Sequence, residues 1–93
     1  HIQLDQFYKY IVEYRVARSA RPGDFVLANI VNEYDQDCWV PGVVRSVDAD
    51  DDGNSCTIIY YNGEEGTNTL GQLVKITECQ YYLFLEFILA KLK

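Results

Sequence analysis

The side chains best suited to chemistry are aromatic rings placed near carboxylates. Tyr34 lies between Glu33 and Asp35, with Asp37 and Trp39 close behind, and Tyr60-Tyr61 precedes Glu64-Glu65. Ring faces attract cations, and carboxylates add long-range pull and hydrogen-bond acceptors. Such a set suits a cationic ligand held without covalent chemistry. The chain is rich in these groups, with eight tyrosines, four phenylalanines and one tryptophan, and its formal net charge is −6. That charge disfavours a phosphate backbone, and no long Lys/Arg run offsets it, so nucleic acid is an unlikely partner and a basic protein tail a better one.

A second pattern is Asp48-x-Asp50-x-Asp52-Gly53, the first half of a calcium loop of the helix-loop-helix type. Position twelve needs a bidentate Glu and is Ile59, within a predicted strand. The segment therefore reads as a hairpin turn, and no cofactor is expected. The three cysteines, Cys38, Cys56 and Cys79, form no C-x-x-C and are odd in number. They read as reduced, mostly buried thiols rather than a zinc site or a disulfide framework. The only histidine is His1. No Ser or Cys has a visible base and no Gly-rich phosphate loop occurs, so an enzyme is not expected.

These residues need elements to position them, and the pattern supplies three regions. Leu4, Phe7, Ile11 and Tyr14 share one helical face, which predicts a helical flank over residues 1–21, although Ile11 to Val16 also fits a strand. Arg21-Pro22-Gly23-Asp24 is a turn. Five short strands are expected between residues 22 and 76: Phe25–Val31, Trp39–Val47, Cys56–Tyr61, Thr67–Leu70 and Leu73–Ile76. Turns fall at Asp48–Asn54 and at Asn62-Gly63. Residues 77–93 are apolar on almost every side, from Tyr81 to Leu89, broken only by Glu86. They are too few to span a membrane, so a helix packed on the strands, on the N-terminal segment or on a second copy is expected. The class is mainly β with flanking helices: a small five-stranded barrel plus N- and C-terminal helices. The chain starts at His1 with no signal-peptide pattern and reads as an excised piece of an intracellular protein, with nucleus and cytoplasm equally open.

The middle region resembles a Tudor-like domain of the Royal family, an SH3-like barrel. The resemblance rests on Gly23-Asp-Phe-Val-Leu-Ala28, Val40-Pro-Gly-Val-Val-Arg-Ser-Val-Asp48, Cys56-Thr-Ile-Ile-Tyr60, Gly63-Glu-Glu65, Thr69-Leu70 and Leu73-Val74. It covers about residues 22–76 and is similar to Tudor-like domains of poorly characterised animal proteins. The resemblance implies a non-catalytic module that holds a basic peptide, with or without lysine or arginine methylation, in an aromatic cage. Carried over position by position, the cage falls on Ile30, Val40 and Tyr60, with Tyr61 nearest the fourth place, so two of the four are not aromatic.

The expected peptide-binding residues are Tyr34, Asp37, Trp39, Tyr60, Tyr61 and Glu64. For Trp39 strand alternation favours another role. Val40, Gly42 and Val44 share one face, and Trp39, Val43 and Val47 the other, where Trp39 would anchor a terminal helix. The alternative function is assembly, including a homodimer formed through the terminal helices.

Overall fold

The computed structural model describes residues 17–31, 37–48 and 54–91. The strands are β1 (Phe25–Val31), β2 (Asp37–Val47), β3 (Ser55–Tyr60), β4 (Glu65–Thr69) and β5 (Leu73–Lys75). A 3₁₀ turn, Leu70–Gln72, joins β4 to β5, and helix α1 spans Glu78–Lys91. The five strands form one antiparallel sheet in the order β4-β3-β2-β1-β5. The expected N-terminal helix falls largely on residues 1–16, outside the described residues. Residues 17–21 are described and are not helical.

Register decides which residues are inside. Val26 pairs with Gly42, Ala28 with Val40, and Val44 with Ile58. The inner cluster holds Val26, Ala28, Val44, Cys56, Ile58 and Leu73, with Ala17 at its margin. Paired residues point to the same face, so Leu27, Trp39 and Val43 lie on the opposite, outer side. Val47 departs from the expected alternation and packs on the inner cluster. The cause is a β-bulge between Val44 and Ser46. Arg45 is the extra residue, and one insertion reverses the facing of everything beyond it.

The sheet is strongly curled. β4 and β1 are three strand spacings apart, about 14 Å if the sheet were flat. Yet the Asn68 side-chain amide on β4 donates to the Asn29 carbonyl on β1 at 2.8 Å. The curl encloses the inner cluster, and the expected mainly β class is met by a five-stranded antiparallel sheet with one C-terminal helix.

Helix α1 covers the outer face of β1 and β2. Its start is a capping box. The Thr77 hydroxyl accepts from the Gln80 backbone amide at 3.1 Å, and the Gln80 side chain accepts from the Thr77 amide at 2.9 Å. Two amide groups at the helix start are satisfied in this way. Phe84 is fully buried with Leu27 and Val74, and Trp39 and Ile76 pack around them. Burial of Phe84 stabilises this contact by about 1.5–3 kcal/mol. Tyr81 adds a tilted ring contact with Phe25, centroids 5.0 Å apart. The helix is not buried all round, as its composition suggested. Tyr82, Leu83 and Leu89 are each about half exposed, at 52%, 49% and 49%.

Candidate functional site

Tyr60 ends β3 and faces inward opposite Gly42. Its ring packs on the inner cluster and lies over Gly66. A Cβ at residue 66 would stand 2.5 Å from the phenol oxygen and 2.8 Å from Cε2, so only glycine leaves room for the ring. The hydroxyl donates to Asn68 Oδ1 at 2.6 Å. Asn68, only 3% exposed, passes the interaction on. Its Nδ2 donates to the Asn29 carbonyl at 2.8 Å and to Gln72 Oε1 at 3.4 Å. Gln72 Oε1 also accepts from the Thr69 amide at 3.1 Å. The network links β3, β4, β1 and the 3₁₀ turn. Burial pushes the Tyr60 phenol above its usual range, so the group is a neutral donor at physiological pH.

The turn after Tyr60 carries the acids. The Gly63 amide donates to the Tyr60 carbonyl at 2.9 Å, and the Tyr60 amide donates to the Glu64 carbonyl at 2.8 Å. Gly63 has φ 87°, a left-handed value that a side chain would oppose. Asn62 Oδ1 accepts from the Glu64 amide at 3.0 Å. Glu64 is exposed. Glu65 is also exposed but accepts a hydrogen bond from Arg45 Nη1, on the bulge. Part of the expected acidic pull is thus met within the domain. Tyr61 is half-buried, and its amide donates to the Pro41 carbonyl at 3.0 Å.

The sequence-derived set is divided by the fold. Tyr60, Tyr61 and Glu64 come together at the β3–β4 turn. Trp39 lies on the opposite face, half-buried against Leu27, Val74 and Phe84 beneath the helix, in the anchoring role that strand alternation favoured. Tyr34 lies outside the described residues. Asp37 opens β2 opposite Val31, and its side chain lies outside what is described. Of the remaining cage positions, Val40 is buried and Ile30 half-buried. β3 ends opposite Gly42, whereas β2 begins at Asp37, so the β1–β2 hairpin overhangs this turn. The offset from Pro41 to Asp37 is four residues, about 13 Å. The start of β2 and the β3–β4 turn lie at the same end of the sheet but are stepped along it.

Asn68 and Gln72 were not expected from sequence. Asn68 stands in an otherwise polar Glu-Gly-Thr-Asn-Thr strand, and nothing local distinguishes it from an exposed position. The calcium-loop half-motif joins two antiparallel strands: the Asp48 amide donates to the Ser55 carbonyl at 2.8 Å, and Ile59 lies within β3 opposite Val43. Residues 49–53 lie outside the described residues. Among the described residues no three His, Cys, Asp or Glu side chains are grouped to hold a metal, and no helix is long and apolar enough to cross a membrane. None of the three cysteines forms a disulfide. Cys56 is buried, with its thiol pushed up by burial, Cys38 is half-buried, and Cys79 is exposed against expectation.

A family model described as a domain of unknown function, DUF4537, matches residues 5–88. The chain belongs to the DUF4537 family. The match takes in the sheet and most of α1, and it also reaches back to residue 5, well ahead of β1. A DUF4537 domain is therefore larger than the region of about 22–76 that carries the Tudor resemblance. No curated protein and no solved structure matches the chain.

Proposed function

We propose that this DUF4537 domain is a non-catalytic, Tudor-like binding module of the SH3-like barrel class. It takes a basic peptide, with or without methylation of its lysine or arginine, at the end formed by Tyr60, Tyr61 and Glu64. The observation that carries the reading is the placement of two partly exposed tyrosines beside an exposed carboxylate on a domain of net charge −6. The strand order supports it: a meander of four strands, then a 3₁₀ turn bringing β5 back beside β1. The step of about 13 Å from the β3–β4 turn to the start of β2 equals about four residues of an extended peptide. A cationic side chain would meet Tyr61 and Glu64, and the chain beyond it would run toward the start of β2. Tyr60 forms the wall, held still by Asn68, and a fixed ring loses little entropy on binding. Trp39 contributes by holding the helix and does not touch the peptide.

The test is a fluorescence-anisotropy titration of a lysine-rich peptide in unmodified, mono-, di- and trimethylated forms. Tyr60→Ala is a poor probe because it also breaks the buried network. Tyr61→Ala and Glu64→Lys leave that network intact. Saturable binding that weakens at least tenfold in both variants supports the reading. No binding by the folded wild type, for any form, refutes it. Assembly through α1 is the second reading, favoured by the half-exposed Tyr82, Leu83 and Leu89.

A further inference from the structure

The outer strands of the sheet are β4 and β5. The edge of β5 is partly covered, since the Ala17 amide donates to the Leu73 carbonyl at 2.8 Å. The edge of β4 is open. Bonds at both ends of the β3–β4 ladder fix its phase: the Tyr60 amide donates to the Glu64 carbonyl at 2.8 Å, and the Leu70 amide to the Asn54 carbonyl at 2.9 Å. With Ile58 opposite Gly66 and Cys56 opposite Asn68, the even-numbered residues of β4 bond to β3. Glu65, Thr67 and Thr69 therefore turn their N–H and C=O groups outward. Thr69 agrees with this phase, because its amide donates away from the ladder to Gln72 Oε1 at 3.1 Å. Glu65 and Thr67 are exposed, and among the described residues no backbone group bonds to their outward side.

We propose, on the peptide-binding reading above, that a basic peptide adds to this edge as an extra strand, pairing through its backbone with Glu65 and Thr67. The part of the peptide leading away from the start of β2 lies along β4. The pairing stops after Thr67, where Asn68 closes the edge by donating to the Asn29 carbonyl at 2.8 Å.

Ring position and charge select that occupant. The Tyr60 ring crosses onto β4 and lies over Gly66, where a Cβ would stand 2.5 Å from the phenol oxygen. Side-by-side residues of adjacent strands share a face, so the peptide residue beside Gly66 points toward that ring. A lysine or arginine there sets its methylene stem against the ring and keeps its charge near the carboxylates. Glu64 and Glu65 are exposed at the head of the strand; Arg45 meets Glu65, and among the described residues no cation pairs with Glu64. A second copy would bring the same carboxylates and a further net charge of −6 against them, so pairing of two β4 edges is opposed.

The experiment is amide hydrogen exchange on the full 93-residue chain, read by NMR, with and without the lysine-rich peptide of the binding titration. Saturating peptide is expected to slow exchange at Glu65 and Thr67 at least tenfold, with little change at Gly66, which is already paired with Ile58. Peptides N-methylated on alternate backbone amides test the phase: one set is expected to bind at least tenfold more weakly and the other like the parent. Thr67→Pro removes an outward donor and leaves the β3 ladder whole, so it is expected to weaken binding at least tenfold in a folded domain. Binding that is lost in Tyr61→Ala and Glu64→Lys, yet leaves exchange at Glu65 and Thr67 unchanged and both methylated sets equal, would overturn the edge pairing while the peptide reading stands. Protection of these amides that needs no peptide and grows with protein concentration would assign the edge to a second copy and overturn the proposal. No binding by the folded wild type would remove both.

Discussion

Replacing Tyr60 with Phe isolates one atom of the site. The ring stays on Gly66, and only the hydroxyl that donates to Asn68 at 2.6 Å is lost. Asn68 Oδ1 then faces the interior without that donor, inside a residue only 3% exposed. A buried acceptor stripped of its partner costs about 1–3 kcal/mol. Taking about 2 kcal/mol and a urea slope of about 1–2 kcal/mol/M, the midpoint falls by about 1–2 M. For a domain of this size the same loss lowers Tm by about 8–16 °C. The single tryptophan, Trp39, packed beneath the helix, reports unfolding by fluorescence. Asn68→Leu closes a double-mutant cycle. Once Asn68 is gone, removing the hydroxyl costs less, because the partly exposed phenol has water to turn to. A coupling of about 0.5–3 kcal/mol is expected. A Tyr60→Phe loss below about 0.5 kcal/mol, or additive single effects, would refute the claim that this network holds the curled sheet together.

Phe84→Ala removes the fully buried ring that fastens α1 to Leu27 and Val74; a loss of about 3–5 kcal/mol is expected, with Trp39 emission shifted to the red as its cover loosens, and an unchanged spectrum and midpoint would show that the helix is held otherwise. Stability is also expected to fall in alkali: burial raises the Tyr60 phenol, the Tyr81 phenol (with the neighbouring Tyr82 adding to it) and the Cys56 thiol. The folded state then holds these protons longer than the unfolded chain, so their contribution is complete below the unfolded values and is lost as pH rises through the folded ones. Urea midpoints measured from pH 7 to 11 should be flat with respect to these groups up to about pH 8 and decline above it; a midpoint that rises over the upper half of that range would contradict the burial of these groups.

The strands and their turns were legible in the residues, because those signals are local. Val/Ile-rich runs, the Arg21–Asp24 turn and Asn62-Gly63 each act within a few residues, and β1 falls on the predicted Phe25–Val31. The apolar 77–93 run became α1, and the facing of Trp39 followed from simple alternation. Boundaries moved where pairing outweighed propensity: β4 begins at Glu65 because it pairs opposite Ile59, and Leu70 leaves it for the 3₁₀ turn. The bulge at Arg45, which sends Val47 inward, and the curl that brings Asn68 to Asn29 emerge only in the folded sheet. Both depend on contacts between strands distant in sequence, and no local residue type announces them. The aromatic and acidic residues that seemed to form one site were divided for the same reason. Sequence order places Trp39 near Tyr34 and Asp37, whereas the pleat puts it on the face opposite Tyr60, which stays with Tyr61 and Glu64 at the end of the sheet.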